Sequence, residues 1–207
     1  MIFLTKIFLF ISISISLIFL SLLYHTFAIP TDENSAILKS WVLPIPIYEH
    51  NKFFDLSSSF SGNNVYFVES NANKIGKLEP ATNTITEWNI PTNSSLPVSI
   101  DVDSSTGNIY FAESNANKIG RLVPATNTIT EWNIPTNSSL PVSISFDSST
   151  GNIYFAESNA NKIGRLVPLD NGFTEWSLQE SPIIINVDSA GSIHFIDNKG
   201  SRIYRLG

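Results

Sequence analysis

Short apolar bursts, each bounded by a polar turn, follow one another along most of this chain, and they recur with a fixed period. Asn64–Gly107 and Asn108–Gly151 are each 44 residues long and agree at 38 positions. A third copy opens at Asn152 and drifts towards Gly191, and a fourth, shorter one runs from Ser192 to the end. Self-similarity at this spacing marks a repeat architecture. In the second copy the bursts are Val98–Val102, Asn108–Glu113, Lys118–Val123 and Thr128–Ile134. Each is five to seven residues, rich in β-branched and aromatic side chains, and followed by turn chemistry or proline. Four short strands every 40–45 residues predict a β-propeller blade. No apolar stripe of helical period survives the turns and prolines.

The turns have their own logic. In Ser114-Asn115-Ala116-Asn117 the asparagines tolerate left-handed backbone. Asp101-x-Asp103-x-Ser105 faintly resembles a calcium loop, but the next copy has Ser145 for Asp101, so it reads as a turn. Trp88, Trp132 and Trp176 recur at 44-residue steps in the fourth strand, where packing between blades is the simplest role.

The two ends of the chain predict a closure. Ala36–Leu43, with Trp41 in the place of Trp88 and Pro44 in the place of Pro91, reads as a fourth strand without its first three. Ile183–Val187, Ser192–Asp197 and Arg202–Leu206 read as three strands without a fourth. The expectation is an all-β propeller of about four four-stranded blades over 37–207, the N-terminal strand completing the last blade, with 29–36 as a linker. Such pairing hides strand edges that would otherwise invite aggregation. An open arc that self-associates is the competing picture.

Ahead of the repeats, Met1–Leu23 is apolar apart from Thr5, Lys6 and four serines, and Ile7–Leu23 is a 17-residue stretch at the short end of a membrane-spanning helix. Lys6 precedes it and Asp32 and Glu33 follow it, which predicts an apolar helix with the rest of the chain on the extracytoplasmic side. Thr26-Phe27-Ala28 is an acceptable cleavage site, so residues 1–28 read as a signal peptide or a membrane anchor. Asn93-Ser94-Ser95 and Asn137-Ser138-Ser139 match the glycosylation acceptor pattern, in keeping with export. Charged residues are only 14% of the chain and the net charge is −6, which argues against a nucleic-acid partner. There is no cysteine, hence no disulfide framework, thiolate nucleophile or Cys-ligated zinc.

Chemistry-bearing positions are few. Glu69, Glu113, Glu157 and Asp197 recur at the end of each second strand. Were they to converge on the propeller axis, they would need a cation, and oxygen ligands favour Mg²⁺ or Ca²⁺. The simpler reading pairs each with its own turn, or with the base five residues on: Lys74, Lys118, Lys162 or Arg202. Of three histidines, His25 lies in the export segment, His194 aligns with Tyr66, Tyr110 and Tyr154, and His50 precedes the first blade beside Glu49.

The string YFAESNANKIGRLVP, followed four residues later by ITEWNIPT, resembles the repeats of the virginiamycin B lyase (streptogramin lyase) family. Tyr110, Phe111, Glu113, Asn117, Lys118, Ile119, Gly120, Arg121, Thr130, Glu131 and Trp132 carry the likeness, with equivalents in the neighbouring copies. The resemblance implies a propeller, and enzymes that are full rings of more blades. These linearise a cyclic depsipeptide by elimination, using Mg²⁺ and histidines in a Pro-His-x-Ile pattern. The matching strings here are Pro97-Val98-Ser99-Ile100, Pro141-Val142-Ser143-Ile144 and Pro182-Ile183-Ile184-Ile185. Valine and isoleucine cannot move a proton, so that acid–base route has lost its agent. The expectation is a non-catalytic binding or scaffold module for a surface protein, glycan or small molecule; a Mg-dependent lyase or hydrolase of cyclic esters is the alternative.

Overall fold

The computed structural model describes residues 56–58, 63–199 and 202–206, all within the compact unit Trp41–Gly207. Every regular element among them is a strand. The first sheet holds β1 (Leu56–Ser58), β2 (Val65–Glu69), β3 (Lys74–Glu79) and β4 (Thr84–Asn89). The second holds β5 (Pro97–Asp103), β6 (Asn108–Glu113), β7 (Lys118–Val123) and β8 (Thr128–Asn133). The third holds β9 (Pro141–Asp147), β10 (Asn152–Glu157), β11 (Lys162–Val167) and β12 (Gly172–Ser177). The fourth holds β13 (Pro182–Val187), β14 (Ile193–Asp197) and β15 (Ile203–Leu206). Each is an antiparallel meander, as its strand and turn lengths predict.

These sheets are the blades, and period-2 alternation gives each two faces. On the leading face of blade 2, Ile100, Phe111, Gly120 and Glu131 stand in register across the four strands. On its trailing face the matching row is Ser99, Ala112, Ile119 and Trp132. Trailing faces pack on leading faces: Tyr66, Val68 and Ile75 of blade 1 form one core with Ile100, Ile109, Phe111 and Leu122 of blade 2. Ala112, Ile119 and Trp132 do the same with Ile144, Ile153, Phe155 and Leu166 of blade 3. The tryptophans are thus packing residues between blades. The first strands β1, β5, β9 and β13 lie in succession at the inner edge, and no comparable packing returns β13 to β1.

One glycine in each of the first three blades makes this packing possible. A Cβ on Gly120 would stand 2.1 Å from the ring of Phe111, which is fully buried beneath it. Gly76 and Gly164 underlie Phe67 and Phe155 in the same way. Blade 4 solves the problem differently: Tyr204 takes the glycine's place and stacks on Phe195, ring centroids 5.1 Å apart.

The turns form as their residues dictate. Asn73, Asn117 and Asn161 adopt left-handed backbone with φ of 59°, 57° and 52°. The Asp101–Ser105 segment is a turn: Asp103 accepts hydrogen bonds from the amide and hydroxyl of Ser105 and from Thr106. The apolar helix expected over 1–28, the linker 29–36, the closing strand around Trp41, and His25 and His50 lie outside the described residues. No helix among the described residues is long and apolar enough to cross a membrane.

Candidate functional site

The first strand of each repeat carries a feature that its alternation does not betray. Pro97 faces Glu113 across the ladder while Ser99 faces Ala112, so Val98 is the extra residue of a β-bulge. Val142 and Ile183 occupy the same bulge in blades 3 and 4. A bulge bends its strand and re-aims the extra side chain, which is why bulges gather near functional sites. Here they lie at one end of the inner strands, where Val98 and Val142 are half-buried and Ile183 is exposed. These are the positions at which the Pro-His-x-Ile pattern would place histidine.

Beside the bulges of blades 2 and 3, and at the same position of blade 1, is a buried acid. Glu69, Glu113 and Glu157 are 1%, 0% and 0% exposed, and each lies against a second carboxyl, Glu87, Glu131 and Glu175 in turn, with the Ser95 and Ser139 hydroxyls beside Glu113 and Glu157. Burial raises the Glu113 carboxyl to about 8, and the charge of Glu131 adds to the rise; Lys118 only partly offsets it. Burial likewise raises Glu69 and Glu157 to about 7, with Glu87 and Glu175 as the neighbouring charges. Each therefore holds its proton more tightly than a solvated carboxyl does, Glu113 most of all, as suits a carboxyl sealed away from water.

The lysines five residues on serve a different acid from the one the sequence suggests. Lys118 stands opposite Glu113 in the ladder. Its Nζ, however, reaches Glu131 at 3.1 Å and Thr92 at 2.6 Å. Lys162 binds Glu175 at 2.9 Å and Lys74 binds Glu87 at 3.0 Å. Burial alone would raise the Glu131 carboxyl, but donors from Thr92 and Lys118 hold it below its ordinary value. Blades 2 and 3 therefore each hold a lysine-paired glutamate, Glu131 or Glu175, held below its ordinary value beside a buried one raised above it, and in blade 1 the pair Lys74–Glu87 stands beside the raised Glu69.

This polar cluster also locks one blade to the next. Asn73 Oδ1 accepts from the Ser95 amide at 2.8 Å and hydroxyl at 2.9 Å, while its Nδ2 donates to the Thr92 carbonyl at 2.9 Å. Asn117 repeats this with Ser139 and Thr136. Thr92 then donates from both amide and hydroxyl to Glu131 in the following blade. Trp88 Nε1 donates to Asn127 at 2.8 Å, and Trp132 Nε1 to Asn171 at 2.5 Å. The contacts 39 residues apart, Thr92 to Glu131 and Trp88 to Asn127 with their equivalents, went unread in the sequence, although an asparagine recurring at Asn83, Asn127 and Asn171 in the third turn of successive copies was the available signal.

In blade 4 the acid is Asp197, and it is satisfied: the Tyr204 hydroxyl donates to it at 2.8 Å and the Lys199 amide at 3.0 Å. A cleft of about 580 Å³ opens beside it, lined by Leu178, Glu180, Phe195, Arg202 and Tyr204. Glu69, Glu113, Glu157 and Asp197 thus occupy four separate blade niches. No group of three or more His, Cys, Asp or Glu side chains among the described residues is placed to hold a metal ion. Buried carboxyls that hold their protons tightly beside an occupied lysine suit a divalent cation poorly. His194, on the trailing face of β14 between Asn186 and Arg205, has Nδ1 3.8 Å from Asp188 and stands apart from the bulges.

Comparison with known proteins gives these features a context. No curated protein sequence matches the chain. A solved streptogramin B lyase structure is 31% identical, with a TM-score of 0.70, over 79% of this chain and 53% of that one. Virginiamycin B lyase from Staphylococcus aureus is 28% identical, with a TM-score of 0.68, over 75% of this chain and 52% of that one. A catalytically inactive His-to-Ala variant of the Staphylococcus aureus enzyme, solved with quinupristin, is 30% identical, with a TM-score of 0.66, over 73% of this chain and 50% of that one. This chain spans about half the length of the lyases it matches. The model of the virginiamycin B lyase family matches residues 54–207, about three quarters of the sequence, and the chain belongs to that family.

Proposed function

We propose that this chain is a non-catalytic member of its family, a binding or scaffold propeller held on the outer side of a membrane by residues 1–28. One observation carries the reading: the bulge residue of the inner strand is aliphatic in every blade where it is described, Val98, Val142 and Ile183. An aliphatic side chain offers a ligand apolar contact and no proton. The buried glutamates do not make good the loss, because at 0–1% exposure they cannot reach a bound molecule. Near-identical blades present the same apolar bulge repeatedly, which suits an extended contact better than one asymmetric reaction centre. Lys6 ahead of the apolar stretch and the acids behind it support the outward orientation.

The test is proximity labelling from the cell surface by the full chain. Labelled surface partners are expected, and they are expected to be lost when Val98 and Val142 are both changed to Asp. Labelling confined to cytoplasmic proteins, or a pattern unchanged by the two substitutions, would refute the reading.

A further inference from the structure

We propose that Asn93 and Asn137 are N-glycosylation sites, and that the glycan is added while the chain is still unfolded. The proposal rests on the outward placement of the chain and is independent of what the module binds. The Asn-x-Ser pattern occurs at these two asparagines, in the same place in two successive copies, and at no other asparagine of the sequence. Asn93 and Asn137 are exposed, in the loops that lead from β4 into β5 and from β8 into β9. Ser94 and Ser138, the middle residues, take left-handed backbone with φ of 53° and 52°. Ser95 and Ser139, which complete the pattern, are 0% exposed. Their hydroxyls donate to Asn73 and Asn117, each at 2.9 Å. The third copy shortens this loop, Ser177–Pro182, and carries no asparagine in it.

Transfer joins the carboxamide Nδ2 of asparagine to the anomeric carbon of an oligosaccharide carried on a lipid diphosphate. The carbon–oxygen bond to the diphosphate breaks as the carbon–nitrogen bond forms, Nδ2 gives up one proton, and the lipid diphosphate leaves; nothing is oxidised or reduced. The acceptor pattern requires its hydroxyl as well as its carboxamide, so a transferring enzyme must reach both at once. In the fold it reaches only the carboxamide, because the hydroxyl is sealed into the lock between blades. The modification therefore precedes the docking of the loop. Once the chain has folded, the glycan has room beside it. Ser94 borders a cleft of about 200 Å³ with Asn71 and Asn115, and Ser138 borders its counterpart of about 210 Å³ with Asn115 and Asn159. Both clefts are lined by carboxamides and hydroxyls without a charged side chain, which suits the hydroxyls of a sugar. The loops run on into Val98 and Val142, so the glycans stand at the bulge end of the blades.

The test translates the full chain in the presence of microsomal membranes that hold the transferase and its lipid-linked donor. Protection from added protease reports translocation, and slower migration on a denaturing gel reports the glycan. A protected chain shifted in two steps is expected. Asn93→Gln and Asn137→Gln should each remove one step, and the double variant both. Enzymatic release of the glycan should leave aspartate at 93 and 137, read by mass spectrometry. A protected chain without a shift would overturn the proposal and leave the outward placement standing. A chain open to the protease would overturn the outward placement, and the proposal with it. The order of events has its own arm. Full chain made without membranes and already folded is given to the detergent-solubilised transferase and donor, beside an acceptor peptide that reports an active enzyme. The folded chain is expected to stay unmodified while the peptide is glycosylated. Glycan on the folded chain to the same extent as on the nascent one would refute addition before folding.

Discussion

Replacing Glu113 by Gln should stabilise this protein, and by an amount that depends on pH in a defined way. In the fold the carboxyl sits near 8, against an ordinary value of 4.5. The folded state therefore binds this proton more tightly than the unfolded chain does. Its contribution is fully present below about 4.5 and is lost as the pH rises through about 8. At about 1.4 kcal/mol per pH unit, the whole gap bounds the effect at about 5 kcal/mol. At pH 7 the bound is about 3 kcal/mol, and relaxation around Lys118 brings the expected gain nearer 2 kcal/mol. Gln keeps the shape, cannot ionise, and offers its amide hydrogens to the neighbouring Glu131. Urea midpoints of the full chain and of Glu113→Gln, read by tryptophan fluorescence at pH values from about 4 to 9, give the difference directly. The other titrating groups, Asp103 and Glu131 among them, are common to both proteins and cancel. The two curves should coincide near pH 4 and separate steadily up to about pH 8. A variant less stable than the parent at pH 7, by a margin that stays constant with pH, would mean that Glu113 is ionised and partnered in the fold. The picture of a neutral acid between blades would then be wrong.

Three further outcomes follow from the same interfaces. Gly120→Ala drives a methyl into the Phe111 ring, whose atoms lie 2.1–2.8 Å from the new carbon. A loss of about 2–3 kcal/mol is expected in the same urea assay, and a loss below about 0.5 kcal/mol would show that the ring can move aside. Trp132→Phe removes the inter-blade bond to Asn171 and should cost about 1 kcal/mol or somewhat more; in an Asn171→Ala background most of that cost should vanish, and equal costs in the two backgrounds would dismiss the bond. Adding Mg²⁺ or Ca²⁺ at pH 7 should leave the melting temperature unchanged; a rise that Glu113→Gln abolishes would reinstate a carboxylate-held cation.

The strand plan was legible in the sequence because every determinant is local. The apolar bursts, the Asn and Asp turns and the prolines mark out strands that the structure reproduces to within a residue or so, as with Asn108–Glu113 and Lys118–Val123. The identity of the candidate positions was legible too, since Val98, Val142 and Ile183 stand where the family pattern has histidine. Their placement on a bulge was not, because one unpaired residue changes neither composition nor spacing. The partner of Lys118 also eluded the sequence. Glu113 is its nearest acid along the hairpin, and it is opposite in the ladder, yet the long side chain leans over Gly120 to Glu131 on the next strand. Contacts between blades depend on which face meets which, and a 44-residue period alone leaves that open.

The proposed function has this chain keep the lyase blades without their proton chemistry. The most direct measurement incubates the full chain with a cyclic depsipeptide and Mg²⁺ beside an active virginiamycin B lyase, and follows ring opening by liquid chromatography and mass spectrometry. The expected result is intact macrocycle with this chain and linear product with the control. Linear product that accumulates in proportion to the amount of this chain would contradict the claim.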